Sequence, residues 1–495
     1  MSPSTEPFDE VKYKALMDGL ECSEIMLSEQ AISSRLDAEY YSKRNLFLQA
    51  KLEAVGKKPM KEYGAVLDCS AFYPSITGYY SHDRSLVPFL RVNEIHNGLI
   101  YITDDTVFLP QNILEENSKT IALAYPGDII IAKGGNTLAK VGLVTDEFPC
   151  YSTCRDVITL RTNELKDLNK YFLWAFLHSS YGQGILWRSA SQTGQPHLTL
   201  PSILEIKIPD IKELQNTIEE IYKSSVDKKH QSEKLYASAQ KMMLDELCFD
   251  PSTVPSGCRA EKKLSETFGA TGRLDAEYYQ PKFDFIEKKL YEYDGDTKPL
   301  SEIVTYLFTG QYADEYLTEG EEPGLKNYIR GTDISEGRIE RDDTHCVNPD
   351  GFNKFVTKGD IATGRVGTIG NFGVVKEDLE GAICSDNILC FHLPPEYLPD
   401  VYALYFNSDL ARELTIRMAR GSVQQRLNQE TLKEIPIPLI RKEVQQKIEA
   451  IVQESFSMHD KANKLIKIAV QAVEIAIEEN EKKAIAWIEK QLKDL

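Results

Sequence analysis

Seven consecutive residues of this chain occur twice. Arg35-Leu-Asp-Ala-Glu-Tyr-Tyr41 returns unchanged as Arg273-Leu-Asp-Ala-Glu-Tyr-Tyr279, 238 residues later. Further pairs follow in the same order. Leu90-Arg-Val-Asn-Glu-Ile-His-Asn-Gly-Leu-Ile100 is echoed by Ile329-Arg-Gly-Thr-Asp-Ile-Ser-Glu-Gly-Arg-Ile339 at an offset of 239, and Pro126-Gly-Asp-Ile-Ile130 by Lys358-Gly-Asp-Ile-Ala362 at 232. Cys154-Arg-Asp-Val-Ile158 is echoed by Cys384-Ser-Asp-Asn-Ile388 at 230, and Ile206-Lys-Ile-Pro-Asp-Ile211 by Ile435-Pro-Ile-Pro-Leu-Ile440 at 229. An ordered series whose offset drifts slowly is a duplication with small deletions in the second copy. The period is far longer than the roughly 20–50 residues of a solenoid repeat, so each copy is a domain plus a connector.

Within each copy the first part reads as mixed α/β. Asp128–Ala132 and Val157–Leu160 in one copy, and Ile361–Thr363 and Asn371–Val375 in the other, are short runs rich in β-branched residues with Gly and Asn between them. Tyr171–His178 and Val401–Asn407 read as a helix in each copy. The second part is different: Asp210–Leu247 and Leu439–Leu495 contain neither Gly nor Pro. In the latter, Val444, Ile448, Ile451, Ser455, Met458, Ala462, Leu465, Ala469, Ala472 and Ala476 keep an unbroken 4-3 spacing, the seam of a coiled coil. In the former, Ile211, Leu214, Ile218, Ile221 and Ser225 begin such a seam, Lys228 and Ser232 break it, and Leu235, Ala239 and Met242 resume it. Helices of this kind are roughly 50 Å long or more, and the simplest pairing is antiparallel. The expected class is α+β: two duplicated mixed α/β domains separated by two long antiparallel coiled-coil helices, with pseudo-two-fold symmetry. The expected segments are 1–49 with the first seven-residue box, 50–208 as the first domain, 209–260 as the central helix, 261–437 as the second box and domain, and 438–495 as the C-terminal helix.

Charge limits the function. The chain has 57 Lys and Arg against 76 Asp and Glu, a formal net charge of -19. That excludes a nucleic-acid binder that is basic all over, yet leaves room for a local basic face. Arg412, Arg417, Arg420 and Arg426 stand against Glu413 alone between 412 and 428. No apolar run approaches the ~20 residues of a membrane span, and the N-terminus has no signal-peptide pattern. Nine cysteines, with no Cys-x-x-Cys and no zinc-ligand cluster beside Cys150/Cys154 or Cys384/Cys390, read as reduced thiols. The expectation is a cytoplasmic protein without a membrane partner.

Two constellations per copy suit DNA. The first is a Gly-rich strand-turn-strand, Gly127–Gly142 and Gly359–Gly373. It lacks the Walker string, and strand-like rather than helical residues follow it, which argues against a dinucleotide loop. A hairpin fits, its tip carrying Lys133, Asn136, Thr137 and Lys140 in one copy and Arg365 and Thr368 in the other. The second is a polar segment before each long helix, with Arg188, Gln192, Gln195 and His197, and with Arg417, Arg420, Ser422, Gln424, Gln425 and Arg426. Arg and Lys neutralise phosphates, and Gln can bond adenine edges. Each constellation is also compatible with an ordinary turn or solvated loop. Signals for catalysis are poor: no amino-methyltransferase string, no Gly-x-Ser-x-Gly, no His-Glu-x-x-His. Glu287-Lys-Lys289 has a nuclease-like spacing that is common on charged helices. His82, His178 and His197 have no metal partners by sequence, so no catalytic residue and no metal ligand is assigned.

Two α/β domains alternating with two long helices, each domain preceded by Leu-Asp-Ala-Glu-Tyr-Tyr and each helix by an Ile-Pro-rich lead-in, resemble the specificity subunit of type I restriction–modification systems over residues 33–495. The resemblance implies two target-recognition domains on double-stranded DNA, each reading half of a bipartite target. It implies helices that set the spacing and dock two methyltransferase subunits, and restriction subunits that join that core. The subunit itself would hold no cofactor; S-adenosylmethionine and ATP belong to the partner subunits. Ile211, Leu214, Ile218, Val444, Ile448, Ile451 and Leu465 are the expected interface to partner helices. The divergence between Ala65–Asp83 and Ser301–Gly320 implies an asymmetric target. Acidic charge implies that partners supply part of the charge around DNA, leaving this chain weak on DNA alone. Leu36/Leu274, Tyr40/Tyr278 and Tyr41/Tyr279 are expected to anchor each domain to the helices. A specificity subunit of a type IIB-like system, a protein-binding adaptor and a DNA-processing enzyme remain as alternatives.

Overall fold

The structure is a computed structural model that describes all residues except 1–8, 29, 31–34, 72, 104, 192–195, 258, 420–425 and 494. The chain divides into two units, Met1–Asp227 with Lys461–Leu495, and Lys228–Asp460. The division differs from the five expected segments because it cuts through both long helices rather than setting them apart.

In the first unit, strands β1 (Gly56–Pro59), β2 (Val66–Asp68), β3 (Val87–Leu90), β4 (Ile95–His96), β5 (Leu99–Ile100), β6 (Phe108–Leu109), β7 (Leu123–Ala124), β8 (Ile129–Ala132), β9 (Val141–Leu143), β10 (Tyr151–Thr153), β11 (Val157–Arg161) and β12 (Lys207–Pro209) build three sheets. The largest runs β2-β11-β8-β9-β5-β4, the next β6-β3-β10-β7, and β1 pairs with β12. In the second unit, β13 (Thr297–Pro299), β14 (Tyr306–Thr309), β15 (Lys326–Ile329), β16 (Ile334–Ser335), β17 (Gly337–Ile339), β18 (Cys346–Val347), β19 (Ile361–Gly364), β20 (Phe372–Val374), β21 (Ile383–Cys384), β22 (Ile388–His392) and β23 (Pro436–Pro438) do the same. Their orders are β14-β22-β19-β20-β17-β16, β18-β15-β21 and β13-β23. The copies match strand for strand; β7 alone has no counterpart. The duplication read from scattered boxes is therefore a duplication of topology.

The sequence of β8 shows why the large sheet lies inside each unit. Ile129-Ile-Ile-Ala132 is buried throughout and flanked by β11 and β9. Successive side chains of a strand point to opposite faces. Accordingly, Ile129 and Ile131 join one core and Ile130 and Ala132 another. After a short helix α1 (Glu10–Met17), the first core holds the helices α2 (Lys43–Val55), α3 (Lys170–His178) and α4 (Ser180–Ser189); the second lies against the smaller sheet. In the other unit Ile361 and Ala362 on β19 split in the same way, against helices α6 (Pro281–Tyr291), α7 (Pro399–Asn407) and α8 (Asp409–Met418). Ser179 and Ser408 each end one helix and cap the next, accepting from Gly182 N at 3.2 Å and Ala411 N at 3.4 Å.

The long helices are α5 (Glu213–Glu246) and α9 (Lys442–Glu478). Each unit contains one half of each. In the first unit Ser225 Oγ donates to Ala462 O at 2.9 Å, and further toward the start of α5 the backbone N of Glu213 donates to Glu481 Oε1 at 2.8 Å. In the second unit Ser232 and Ser455 meet at 3.1 Å, and Glu246 accepts from Nε and Nη2 of Arg441. The pairing is antiparallel in both units. Two expectations need correction. Ser232 does not break the seam: it is buried, and its carbonyl accepts from Ser455 Oγ at 2.8 Å. The buried face of α5 continues through Tyr236, Ala239 and Met243. The C-terminal helix is also not continuous. It stops at Glu478, and α10 (Glu481–Lys493) restarts it, with Asn480 accepting from Lys483 N. An Asn N-cap restarts a helix without any Gly or Pro, and the restart leaves Glu481 free to cap the positive end of α5.

Candidate nucleic-acid interface

The turn that leads into each Gly-rich hairpin is held by a buried aspartate. Asp128 accepts from Tyr125 N, Thr162 N and Arg161; Asp360 accepts from Thr357 N and pairs with His392 Nδ1 at 2.8 Å. The repeated Gly-Asp is thus scaffold. It fixes β8–β9 and β19–β20 as antiparallel pairs, with 133–140 and 365–371 as their tips. Each tip ends on a residue in the left-handed region, Ala139 at φ 65° and Gly370 at φ 93°.

Lys133 and Arg365 occupy the same place. Lys133 N donates to Asp156 O and its carbonyl accepts from Leu198 N; Arg365 N donates to Asn387 O and its carbonyl accepts from Leu427 N. Leu198 and Leu427 are fully buried, so the exposed residues just before them, His197 and Arg426, also correspond. Each unit therefore sets a cation at the hairpin tip beside a second basic or imidazole side chain from the polar segment. In the first unit Lys133, Thr137 and His197 line one concavity of about 670 Å³ with Gly134, Gly135, Ser70 and Arg155. The His197 ring packs against Gly134, where any Cβ would strike its Nδ1. Asn136 and Lys140 are exposed on the same tip. Arg155 was missed by the sequence reading. The available signal was the Cys-Arg-Asp-Val-Ile box, in which the second copy has Ser385.

In the second unit the tip and the strand that leads to it contain unsatisfied polar atoms. Arg365 Nη1 donates to Asp386 O at 3.3 Å, while its Nε is buried with no partner, as are Thr363 Oγ1 and Thr368 Oγ1. Leaving polar atoms unpaired inside a protein costs free energy, and such a group calls for a ligand or a water.

Arg188 and Arg417 are not surface cations, and their assignment to DNA is corrected. Arg188 donates to Tyr40 O at 3.0 Å and its guanidinium lies 3.9 Å from the Tyr40 ring centroid; Arg417 donates to Tyr278 O at 2.9 Å and lies 4.4 Å from the Tyr278 ring. Burial lowers the pKa of Arg188. Arg417 also pairs with Glu287 at 2.8 Å, which accounts for the carboxylate of the nuclease-like spacing. Arg35 and Arg273 also lie over the two tyrosine rings, 4.7 and 4.2 Å from their centroids, and are themselves held by Asp37 and Asp275. Tyr41 and Tyr279 are buried, their hydroxyls donating to Arg35 O and Arg273 O. The tyrosines of the box are anchors, joined to α4 and α8 rather than to the long helices. Leu36 and Leu274 are not anchors: they are 86% and 68% exposed.

Gln192, Gln195, Arg420, Ser422, Gln424 and Gln425 lie outside the described residues. The expected interface to partner helices is corrected as well. Ile211, Leu214, Ile218, Ile448 and Leu465 are buried in the chain's own cores, and Val444 and Ile451 pack at the edge of one. Five of the seven are enclosed within the chain, and Val444 and Ile451 remain partly exposed. His178 is a core residue stacked on Trp174, and burial lowers its pKa. Cys154 is pushed up to about 11 by burial, which keeps it a protonated, unreactive thiol. Among the described residues no group of three or more His, Cys, Asp or Glu is arranged to hold a metal ion, and no helix is long and apolar enough to cross a membrane.

Residues 294–471 match the family described as Type I restriction modification DNA specificity domain. No curated protein matches. Among solved structures, the chain is similar to a type I restriction-modification system S subunit from M. genitalium, with 13% identity over 86% of this chain and 95% of that one and a TM-score of 0.33. It is also similar to the HsdS subunit from Thermoanaerobacter tengcongensis, with 15% identity over 87% and 96% and a TM-score of 0.25. At such identities and scores, the weight rests on the family match to residues 294–471.

Proposed function

We propose, from the premise that this chain carries a type I restriction modification DNA specificity domain, that it directs a methyltransferase to a bipartite DNA target, one half read by each unit. The observation that carries this is the repetition of topology. The second unit matches the specificity domain, and the first unit repeats its sheet order. Two reading units on one chain raise each other's effective concentration, so a full target is held far more tightly than a half. The hairpin-tip cations, Lys133 and Arg365, neutralise phosphate near the base edges that the polar segments reach. The tips and segments differ between units, so the two half-targets differ and the whole is asymmetric. The long helices set the spacing between half-targets. The chain contributes recognition and no catalysis; S-adenosylmethionine chemistry and ATP-driven restriction reside on methyltransferase and restriction subunits. With a net charge of -19, the chain alone binds DNA weakly, and the partners complete the positive surface.

The test is co-expression with the methyltransferase encoded in the same genome, followed by mapping of methylated adenines. One bipartite, asymmetric motif that appears only with this chain is the expected result. A stable complex with no motif would overturn the reading in favour of a protein-binding adaptor.

A further inference from the structure

The seven-residue box separates into two sets of side chains. Its Arg, Asp and both Tyr are engaged inside each unit: Arg35 and Arg273 with Asp37 and Asp275, Tyr40 and Tyr278 between arginines, Tyr41 and Tyr279 buried. Its Leu, Ala and Glu are not. Leu36, Ala38 and Glu39 are exposed, and so are Leu274, Ala276 and Glu277. The internal fold accounts for the first set being the same in both copies. It does not account for the second.

Identity stops at the edges of the box. Ser33-Ser34 stand before it in one copy and Thr271-Gly272 in the other; Ser42-Lys-Arg44 follow it in one and Gln280-Pro-Lys282 in the other. A single exposed leucine is ordinary, but it contributes nothing to the fold and is easily replaced by a polar residue. Two exposed leucines in matched positions, within a chain whose surface has otherwise diverged, therefore have a shared external reason. DNA does not supply it, because the two units differ in the residues that would read DNA and because Glu39 and Glu277 repel phosphate. A ligand that is identical at both units does.

We infer that Leu36-Asp-Ala-Glu39 and Leu274-Asp-Ala-Glu277 are two copies of one docking epitope, each taken by one copy of the methyltransferase subunit. The occupant rests on the function proposed above, which calls for the same partner at both units. Its chemistry follows from the epitope: an apolar pocket for the leucine, with a lysine or arginine at its rim for the glutamate. The surroundings agree. Met26 and Leu27 before the first box, and Leu264 and Phe268 before the second, are also exposed. The epitope is separate from the seam residues once expected to meet partner helices, five of which are buried within the chain.

The experiment uses the full chain co-purified with the methyltransferase, with stoichiometry read by native mass spectrometry. Wild type holds two methyltransferase copies. Leu36→Glu and Leu274→Glu each hold one, and the double variant holds none, with thermal melting unchanged because neither leucine is buried. Glu39→Lys and Glu277→Lys weaken the same contacts at least tenfold. Two copies retained by the double leucine variant would overturn the epitope and leave the proposed function standing. No methyltransferase on the wild-type chain would overturn both. A wild-type chain that dimerises by itself, and loses the dimer in Leu36→Glu, would assign the epitope to a second copy of this chain instead.

Discussion

At the scale of single residues, charge by itself was a poor guide to function. Arg188 and Arg417 lie in the polar segments that suit DNA, yet each is enclosed by its own unit, stacked on a tyrosine and bonded to that tyrosine's carbonyl. Replacing Arg417 with Ala leaves Tyr278 O without its donor and removes the stacking cation, so stability should fall by about 2 kcal/mol in denaturant melts. The salt slope of DNA binding should stay unchanged. A second residue-scale consequence concerns His459 in the second unit. Burial, with Arg338 and Lys229 nearby, holds its pKa down at about 3, outweighing Glu340 at 3.8 Å. The unfolded chain takes up a proton below the ordinary value of 6.5, and the folded chain does not. Stability is therefore complete above that value and declines as pH falls from about 6.5 toward 3, by at most ~1.4 kcal/mol per pH unit from this group. Melts from pH 7 to pH 5 should show a shallower loss for His459→Gln than for wild type.

At the scale of elements, the long helices show how small residues set a close approach. Ser225, Ser232 and Ser455 are all buried, and each donates or accepts across the helix pair within its unit. A leucine at 455 restores an apolar seam on paper but has no room; overpacking should cost about 1–3 kcal/mol, seen as a lower midpoint in urea. Ser455→Ala, which removes one hydrogen bond and no volume worth refilling, should cost about 1 kcal/mol. The hairpins and the paired helices were legible from local pattern because strand alternation and the 4-3 repeat are short-range signals. Ser225 and Ser455 were legible as seam positions, but buried Ser232 was not: it reads as a break until the partner helix brings the Ser455 hydroxyl to it.

At the scale of the whole molecule, the two units make separable contributions. Lys133→Ala and Arg365→Ala act in different units at equivalent positions. Each should weaken DNA binding by the assembled complex and reduce its salt slope by about 1, and the double variant should show the sum of the two losses, as expected of distant sites. Filter binding across a salt series checks this; a double variant no weaker than either single one would mean that the two tips do not contact the DNA target independently.

The amino-acid sequence alone determined the duplication, the strand and helix pattern and the acidic balance, because repeats, periodicity and composition need no knowledge of what lies far along the chain. It also located the hairpin tips, since Gly-rich strand-turn-strand is a local signature. Tertiary structure decided which cations face solvent. Lys133 and Arg365 follow strand ends and are half-exposed, whereas Arg188 and Arg417 are covered by a box 148 and 139 residues away. It decided that Asp128 and Asp360 hold a turn, and that Glu481 caps a helix that starts 268 residues earlier. It also divided one seven-residue identity into an inner half that folds each unit and an outer half that faces solvent. The reason is the same in each case: burial and hydrogen-bond satisfaction depend on neighbours brought together only when the chain folds, and a side chain's chemistry is set by that company.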